Sequence, residues 1–145
     1  MTNKDNSIMR ATGLLIIEVR DSNPNGDPDR ESDPRQRPDG KGEISPVSFK
    51  RKLRDLVEDK TGEVWRTLGE KLSADQFAIL ESRGRDRKAI GEEIKGDGQA
   101  FKDKYWDGRV FGNTFLEEGA STTIKTGVVQ FGLGLYLAPI EIRRL

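Results

Sequence analysis

Residues 11–20, ATGLLIIEVR, run directly into the polar stretch DSNPNGDPDRESDPRQRPDGKG at residues 21–42. The first stretch is a dense run of leucine and β-branched residues that ends at a polar cluster, and this pattern predicts a buried strand. The second stretch holds four prolines and three glycines in 22 residues. Such a composition predicts a solvated loop, and a loop this long indicates a functional role because compact domains seldom keep one.

The stretch after the loop carries the signals of an amphipathic helix over residues 46–59. Ser45 is a favourable N-cap residue, and Pro46 suits the first helical position. Apolar residues then recur at the spacing of one helical face, which predicts that this face is buried.

Residues 63–106 are predicted to form a polar helical insertion. The helical pattern is interrupted repeatedly, so two or three short helices are expected. The interrupting residues are Gly84, Gly91, Gly96 and Gly98. Ser73 and Gln76 have the spacing of a capping box, which predicts the start of one of these helices.

The last part of the chain, residues 107–145, is predicted to be rich in strands. RVFGNTFL at 109–116 has the composition of a strand, residues 113–126 form a hairpin candidate, and residues 122–142 continue as strand. The fold class is therefore α+β, in a single domain of three parts: 11–62, 63–106 and 107–145.

Composition excludes several kinds of chemistry. The 25 basic and 25 acidic residues cancel, so any electropositive surface is local. Cysteine and histidine are both absent, which excludes thiolate nucleophiles, imidazole bases and the usual zinc ligands. The N-terminus is polar and no apolar run is long enough to span a membrane, so a cytoplasmic protein without a cofactor or membrane contact is expected.

Three cations, Lys50, Arg51 and Arg54, fall on the flank of the predicted helix away from its apolar face. Lysine and arginine on a rigid helix bind phosphates without reading bases. The loop before the helix adds glycines that allow close backbone approach, and a helix N-terminus attracts anions. These features favour a nucleic-acid backbone as the ligand over the ordinary alternative, a solvated helix face.

The acidic loop has some features of a metal site. Asp21, Asn23, Asn25 and Gly26 repeat the first half of an EF-hand-type calcium loop, but Ser32 stands where the pattern needs a bidentate Glu. The favoured alternative is a turn in which Asn23, Asn25 and Gly26 take positive φ. The loop carboxylates either collect magnesium for phosphodiester cleavage or simply solvate the loop. They are Asp21, Asp27, Asp29 and Asp33.

A second set of candidate RNA ligands lies near the C-terminus, around the hairpin candidate. Glycine permits close approach of a ligand, and an exposed phenylalanine can stack on a base, although a core position is the commoner role of such a ring. Hydroxyls and a lysine in TTIKTG offer further phosphate contacts. The candidates are Arg109, Phe111, Gly112, Asn113, Thr123 and Lys125.

Five segments occur in an order typical of a known family: EVRD, SNPNGDPD, SPVSFKRKLRDLV, DGRVFGN and IKTGVVQFGLGLYLAPI. Together they resemble the Cas seven family, the backbone subunit of type I CRISPR surveillance complexes (Cascade), and most closely its I-C and I-B branches. The string from Asn23 to Asp29 and the helix with Lys50 and Arg51 are the more specific parts. The middle third of the chain has no match to the family pattern.

The resemblance implies an RNA-recognition-motif-like, or ferredoxin-like, core of the RAMP superfamily, with a helical insertion and a thumb hairpin at residues 113–126. It places Asn23, Asn25 and Gly26 in the loop after the first strand and implies that the cationic helix holds guide phosphates. The implied partners are guide RNA, target nucleic acid, copies of the chain itself and other CRISPR effector subunits. Family members are longer, so the chain is expected to be either a fragment or a natural minimal variant.

The resemblance therefore predicts a non-catalytic subunit that binds guide RNA in antiviral defence. Two other functions stay open. Related type III subunits cleave target RNA with a loop aspartate and a divalent metal, and here Asp27 or Asp29 is the candidate. The third possibility is a charged protein interaction module with no role in RNA binding.

Overall fold

The structure, a computed structural model, describes residues 9–94, 98–112 and 126–143. Within these ranges it contains one antiparallel sheet of two strands, five α-helices and three short 3-10 turns. This mixture agrees with the predicted α+β class. The elements are β1 at Lys41–Ile44, α1 at Pro46–Glu58, α2 at Glu63–Leu68, α3 at Arg87–Ile94, α4 at Gly98–Lys104, α5 at Trp106–Phe111 and β2 at Gly134–Pro139.

Helix α1 begins where its capping chemistry predicts. The Oγ of Ser45 accepts a hydrogen bond from the backbone N–H of Ser48 at 3.1 Å, and Pro46 occupies the first turn. Both features relieve the unpaired N–H groups of a helix start. The helix ends at Glu58, so the prediction of a helix over residues 46–59 is confirmed. The prediction that its apolar face is buried is wrong, because Leu56 is 52% exposed and the buried residue of α1 is Arg54.

Strands β1 and β2 pair antiparallel although about 90 residues separate them in sequence. Lys41 lies opposite Pro139 and Ile44 opposite Gly134, with an irregular register between these two pairs. The strand-rich prediction for residues 122–142 is confirmed over β2 and is wrong over residues 126–133 and 140–142, which form no strand. The sheet fixes the start of α1, because β1 ends one residue before Ser45.

Residues 11–20 are not a strand in the structure, so that prediction is wrong. The segment has no regular secondary structure and its apolar side chains are exposed, including Leu14 at 88% and Ile16 at 79%. A strand needs a neighbour for its N–H and C=O groups. Among the described residues, β1 and β2 pair with each other and neither forms a ladder with this segment. An RNA-recognition-motif-like core stays a prediction.

The polar stretch at 21–42 is ordered by hydrogen bonds within itself. The backbone N–H of Asp27 donates to the carbonyl of Asp33 at 2.7 Å, and that of Arg35 donates to the carbonyl of Asn25 at 2.9 Å. The stretch is solvated, as predicted, since most of its side chains are exposed. Its backbone nevertheless follows one path because its polar groups pair with one another.

The turn chemistry of this stretch differs from the prediction. Positive φ values occur at Asp21, Glu31, Ser32 and Gly40. Glycine adopts this conformation without steric cost, and aspartate tolerates it better than most residues. A Cβ on Gly26 would lie 3.0 Å from the carbonyl oxygen of Ser32, a tight contact that favours glycine there. The residues predicted to take positive φ do not: Asn23, Asn25 and Gly26.

The predicted strand at 109–116 is wrong over its first part, because residues up to Phe111 belong to helix α5. Side-chain hydrogen bonds of Asp107 hold this short helix in place, and no strand lies beside it among the described residues. Gly112 ends the helix with a φ of 76°, a value that suits glycine. Residues 113–116 lie outside the described residues.

The insertion at 63–106 contains α2, α3 and α4 in its described part, which agrees with the expected two or three short helices. The capping box of Ser73 and Gln76 is wrong: residues 74–76 form only a 3-10 turn, and the Ser73 side chain makes no capping bond. None of the described helices combines the length and apolar character of a membrane span.

The main core cluster consists of Leu80, Ile90 and Tyr105, with Ala78 packed against it. Backbone hydrogen bonds fix this packing, because Ala78 donates to the carbonyl of Lys104 at 3.1 Å and accepts from Trp106 N at 3.0 Å. The junction of α4 and α5 is thereby held against the segment before α3. Asp107 follows Trp106 at this junction and is fully buried.

Candidate nucleic-acid interface

Arg54, one of the three predicted phosphate ligands on α1, is buried in the structure. Its residue exposure is 8%, and its Nε donates to Oδ2 of Asp107 at 2.8 Å. Asp107 is fully buried and also accepts hydrogen bonds from the backbone N–H groups of Leu80 at 2.6 Å and Glu81 at 3.1 Å. These extra bonds are what two buried charges require. Arg54 therefore has an intramolecular partner where the sequence predicted a phosphate.

Arg51 is held by its own chain more loosely. Its Nη2 donates to the carbonyl oxygen of Glu81 at 2.6 Å, and its Nη1 lies 3.8 Å from Oδ1 of Asp55. Asp55 also pairs with Arg83 at 2.8 Å, so this one carboxylate is shared by two guanidinium groups. The Arg51 side chain is 29% exposed, but its Nη1 is itself buried and has no hydrogen-bond partner among the described residues.

Lys50 has a different environment, because its Nζ lies 5.4 Å from the centroid of the Phe111 ring. The lysine is half-buried, and among the described residues no carboxylate forms an ion pair with it. An ammonium over an aromatic face is attracted by the ring quadrupole and keeps its full charge. Lys50 is thus a cation of α1 that the described residues do not neutralise.

Phe111 belongs to an aromatic cluster and is 7% exposed, so the exposed stacking ring that the sequence allowed is wrong and the core alternative is right. Its ring centroid lies 5.4 Å from that of Trp106 and 6.1 Å from that of Phe131. Phe131 in turn meets Phe49 of α1 edge to face at 4.9 Å. These contacts pack α1 against α5 and hold the Phe111 ring still beneath Lys50.

Arg109 links two other elements. Its guanidinium donates to the backbone carbonyls of Gln76 at 2.6 Å, of Lys102 at 2.6 Å and of Asp103. These carbonyls belong to the end of a 3-10 turn and to the last turn of α4, where carbonyl groups lack helical partners. The arrangement uses the guanidinium inside the protein, so it gives no support to a phosphate contact by Arg109.

The asparagines of the loop before α1 also bind their own chain. Asn23 donates from Nδ2 to the carbonyl of Ser32 at 2.7 Å. Asn25 is buried, and its Oδ1 accepts from the backbone N–H of Ser45 at 2.8 Å while its Nδ2 donates to the carbonyl of Gly26. These bonds fix the loop against the start of α1. Their role in the structure is to position α1, and an RNA contact at these residues remains a prediction.

The two aspartates proposed for cleavage chemistry lie in a local turn. Oδ1 of Asp27 accepts the backbone N–H of Asp29 at 3.1 Å and caps the 3-10 turn Pro28–Arg30. In the described part of the chain, no group of three or more acidic side chains is arranged to hold a metal ion. The calcium and nuclease hypotheses gain no support from this geometry.

Gly127 brings the chain back against the end of α5. A Cβ at this position would lie 2.3 Å from three backbone atoms: the N of Gly112, the C of Phe111 and the O of Val110. The backbone N–H of Val129 donates to the carbonyl of Val110 at 2.8 Å next to this contact. The two chain segments therefore touch backbone to backbone, which only glycine permits.

Three predicted ligands, Asn113, Thr123 and Lys125, lie outside the described residues. The same holds for the predicted thumb hairpin at 113–126, except for Thr126. The described residues that flank this segment lie near Lys50, because the Gly127 backbone lies against the backbone of Phe111, whose ring is under the Lys50 ammonium.

Sequence reasoning missed Asp107 and Gly127, which organise this region. Asp107 enters the sequence analysis only as part of the segment DGRVFGN, and nothing in its local sequence indicates burial with a partner. Gly127 carried no signal beyond being one glycine among several in a strand-rich segment.

Comparison with known proteins identifies the family. The family model of CRISPR-associated protein Cas7 matches residues 9–144. A curated protein from Haloferax volcanii, named CRISPR-associated protein Cas7, is 31% identical over 117 residues, covering 79% of this chain and 34% of the relative. The chain belongs to the Cas7 family, and it spans about a third of the length of this relative.

Proposed function

We propose that this chain binds guide RNA through its sugar-phosphate backbone as a backbone subunit of a CRISPR surveillance complex. Membership of the Cas7 family carries this proposal, since the family model covers almost the whole chain at residues 9–144. In an RNA-guided complex, base pairing with the guide provides sequence specificity, and the protein supplies shape and charge. A chain with zero net charge and local cations can supply a local positive surface for the RNA backbone without a net positive charge on the whole protein.

Lys50 supplies the leading phosphate contact in this proposal. Its ammonium keeps an uncompensated charge among the described residues and lies on the rigid helix α1. A lysine binds phosphate as a point charge and does not require bidentate geometry. Arg51 is a second contact, because its buried Nη1 has no hydrogen-bond partner in the described part of the protein. Asn113, Thr123 and Lys125 enter the proposal from the sequence pattern alone.

Assembly with other protein surfaces is part of the same proposal. The segment at 11–20 exposes several large apolar side chains, including Leu14, Leu15 at 57% and Ile16. A contiguous apolar stretch of this kind is unfavourable in water and indicates a surface that another polypeptide covers. Copies of the chain and other effector subunits are the proposed partners, and target nucleic acid pairs with the bound guide.

The test is binding of labelled single-stranded RNA to the 145-residue chain, followed by fluorescence anisotropy at several salt concentrations. Lys50→Ala removes one phosphate contact, so the slope of log affinity against log salt should fall by about 0.7. Lys88→Ala removes an exposed lysine from α3 and is the matched control, for which the slope should stay unchanged. Absence of RNA binding at low salt, or the same slope for the wild type and Lys50→Ala, would contradict the proposal.

A further inference from the structure

The ring of Phe111 meets two cations of α1. The Nζ of Lys50 lies 5.4 Å from the ring centroid, and the Cζ of Arg54 lies 5.3 Å from it. These cations are four residues apart and share the face of α1 that packs on α5. Asp107 neutralises Arg54 through its 2.8 Å contact. Within the described residues, the ring therefore contacts Arg54, whose charge is neutralised by Asp107, and Lys50, whose charge is not neutralised.

The ring is a fixed platform because it is nearly buried and packed edge-on or tilted against Trp106 and Phe131. A lysine side chain otherwise samples many rotamers, and fixing it when a ligand binds costs conformational entropy. An aromatic face holds an ammonium by electrostatic attraction without accepting its N–H bonds as a carboxylate would. The donors of Lys50 therefore stay available.

We propose that Phe111 is a positioning residue for Lys50, whose ammonium it holds in place before a phosphate arrives. The neutralisation of Arg54 by Asp107 is part of this arrangement, because an uncompensated guanidinium over the same ring would repel the ammonium. This inference rests on the proposed RNA-binding function and deepens it by naming a residue that prepares the phosphate contact.

A double-mutant cycle of Lys50→Ala and Phe111→Leu tests this role in RNA binding. Leucine keeps most of the apolar volume and loses the aromatic face, so Phe111→Leu should weaken RNA affinity about two- to fivefold. The salt slope should stay that of the wild type, because no charge is removed. In the Lys50→Ala background, Phe111→Leu should have no further effect on affinity. A purely structural role would give the same loss in both backgrounds, and that result would overturn the inference.

Phe131→Leu is the matched control. This ring touches Phe111 and Phe49 in the same cluster but has no cation over it among the described residues. Its substitution removes an aromatic ring from the same cluster, and its effect on RNA affinity should be independent of Lys50. Coupling to Lys50 as strong as that of Phe111 would show that general packing is responsible, which would overturn the inference.

A measurement on the wild-type chain covers the case in which Phe111→Leu fails to fold. The ring current of Phe111 should shift the Hε protons of Lys50 upfield of those of the exposed Lys88 in an NMR spectrum. Equal shifts for the two lysines would overturn the inference. If the wild-type chain binds no RNA, the proposed function fails first and this inference falls with it. If RNA binds and the cycle is additive, only the inference fails.

Discussion

The Nε of Arg54 lies 2.8 Å from Oδ2 of Asp107, and this contact joins two residues that are 53 positions apart in the sequence. Both residues are buried, and the carboxylate accepts two further hydrogen bonds from the backbone of Leu80 and Glu81. The pair therefore connects α1, α5 and the segment at 80–81 in one interaction. The contact of Lys50 with the Phe111 ring depends on how α1 and α5 meet.

Asp107→Asn is expected to lower the free energy of unfolding by about 3–5 kcal/mol. The substitution leaves the buried guanidinium of Arg54 without a charged partner, and breaking one side of a buried ion pair has this order of cost. The measurement is the urea unfolding midpoint and slope at neutral pH. Adding Arg54→Met to Asp107→Asn should recover part of the loss, because the uncompensated charge is then removed.

The control for this prediction is Asp75→Asn, which alters an exposed aspartate in a 3-10 turn. Surface substitutions of this kind change stability by about 0.5 kcal/mol or less. If Asp107→Asn were no more destabilising than Asp75→Asn, the buried pair would not be an important part of the fold.

The position of α1 could be predicted from the sequence, whereas the buried environment of Arg54 could not. Ser45, Pro46 and the apolar periodicity are local signals, and they were sufficient for the position of α1. The same sequence presented Arg54 as a surface cation, since nothing near it in the chain reveals a partner. Its partner Asp107 is distant in sequence, and a single sequence carries no record of such a pairing.

The strand predictions at residues 11–20 and 109–111 are wrong for a related reason. The prediction of a strand at 11–20 used composition alone, but a strand exists only with a neighbour, and the described residues provide none. Residues 109–111 have strand-like composition, yet the hydrogen bonds of Asp107 and the close contact of Gly127 hold them as the end of α5. Tertiary contacts outweigh local propensity at residues 109–111, whereas residues 11–20 lack a pairing strand among the described residues.

Gly127→Ala is expected to lower the free energy of unfolding by about 1–3 kcal/mol or more. The new Cβ would lie 2.3 Å from backbone atoms of Phe111 and Gly112, and a backbone cannot move aside as a flexible side chain can. Thermal unfolding of the two proteins measures the difference. Gly132→Ala is the matched control, because a Cβ at Gly132 would meet nothing within 4 Å. Equal unfolding temperatures for the two variants would contradict the backbone contact at Gly127.

Glu93 of α3 is the centre of a charge network that ties α3 to α4. Its carboxylate pairs with Lys104 at 2.5 Å and with Arg85, and it accepts a hydrogen bond from the hydroxyl of Tyr105 at 2.7 Å. Burial alone would raise the pKa of Glu93, but the bonds from Lys104 and Tyr105, with the nearby positive charges, outweigh it and lower the pKa.

A lowered pKa means that the network stabilises the fold above the unfolded pKa of about 4.3 and loses this contribution as pH falls through the lower folded value. Glu93→Gln should therefore be less stable than the wild type at neutral pH, by about 1 kcal/mol or less because the side chain is 31% exposed. The difference in unfolding free energy between Glu93→Gln and the wild type should become smaller as the pH falls below about 4.3. Urea midpoints of both proteins between neutral and acidic pH measure this difference.

Glu92→Gln, on the exposed side of the same helix, is the control, and its stability difference from the wild type should stay constant with pH. A gap between Glu93→Gln and the wild type that widens on acidification would reverse the sign and rule out the network as its cause.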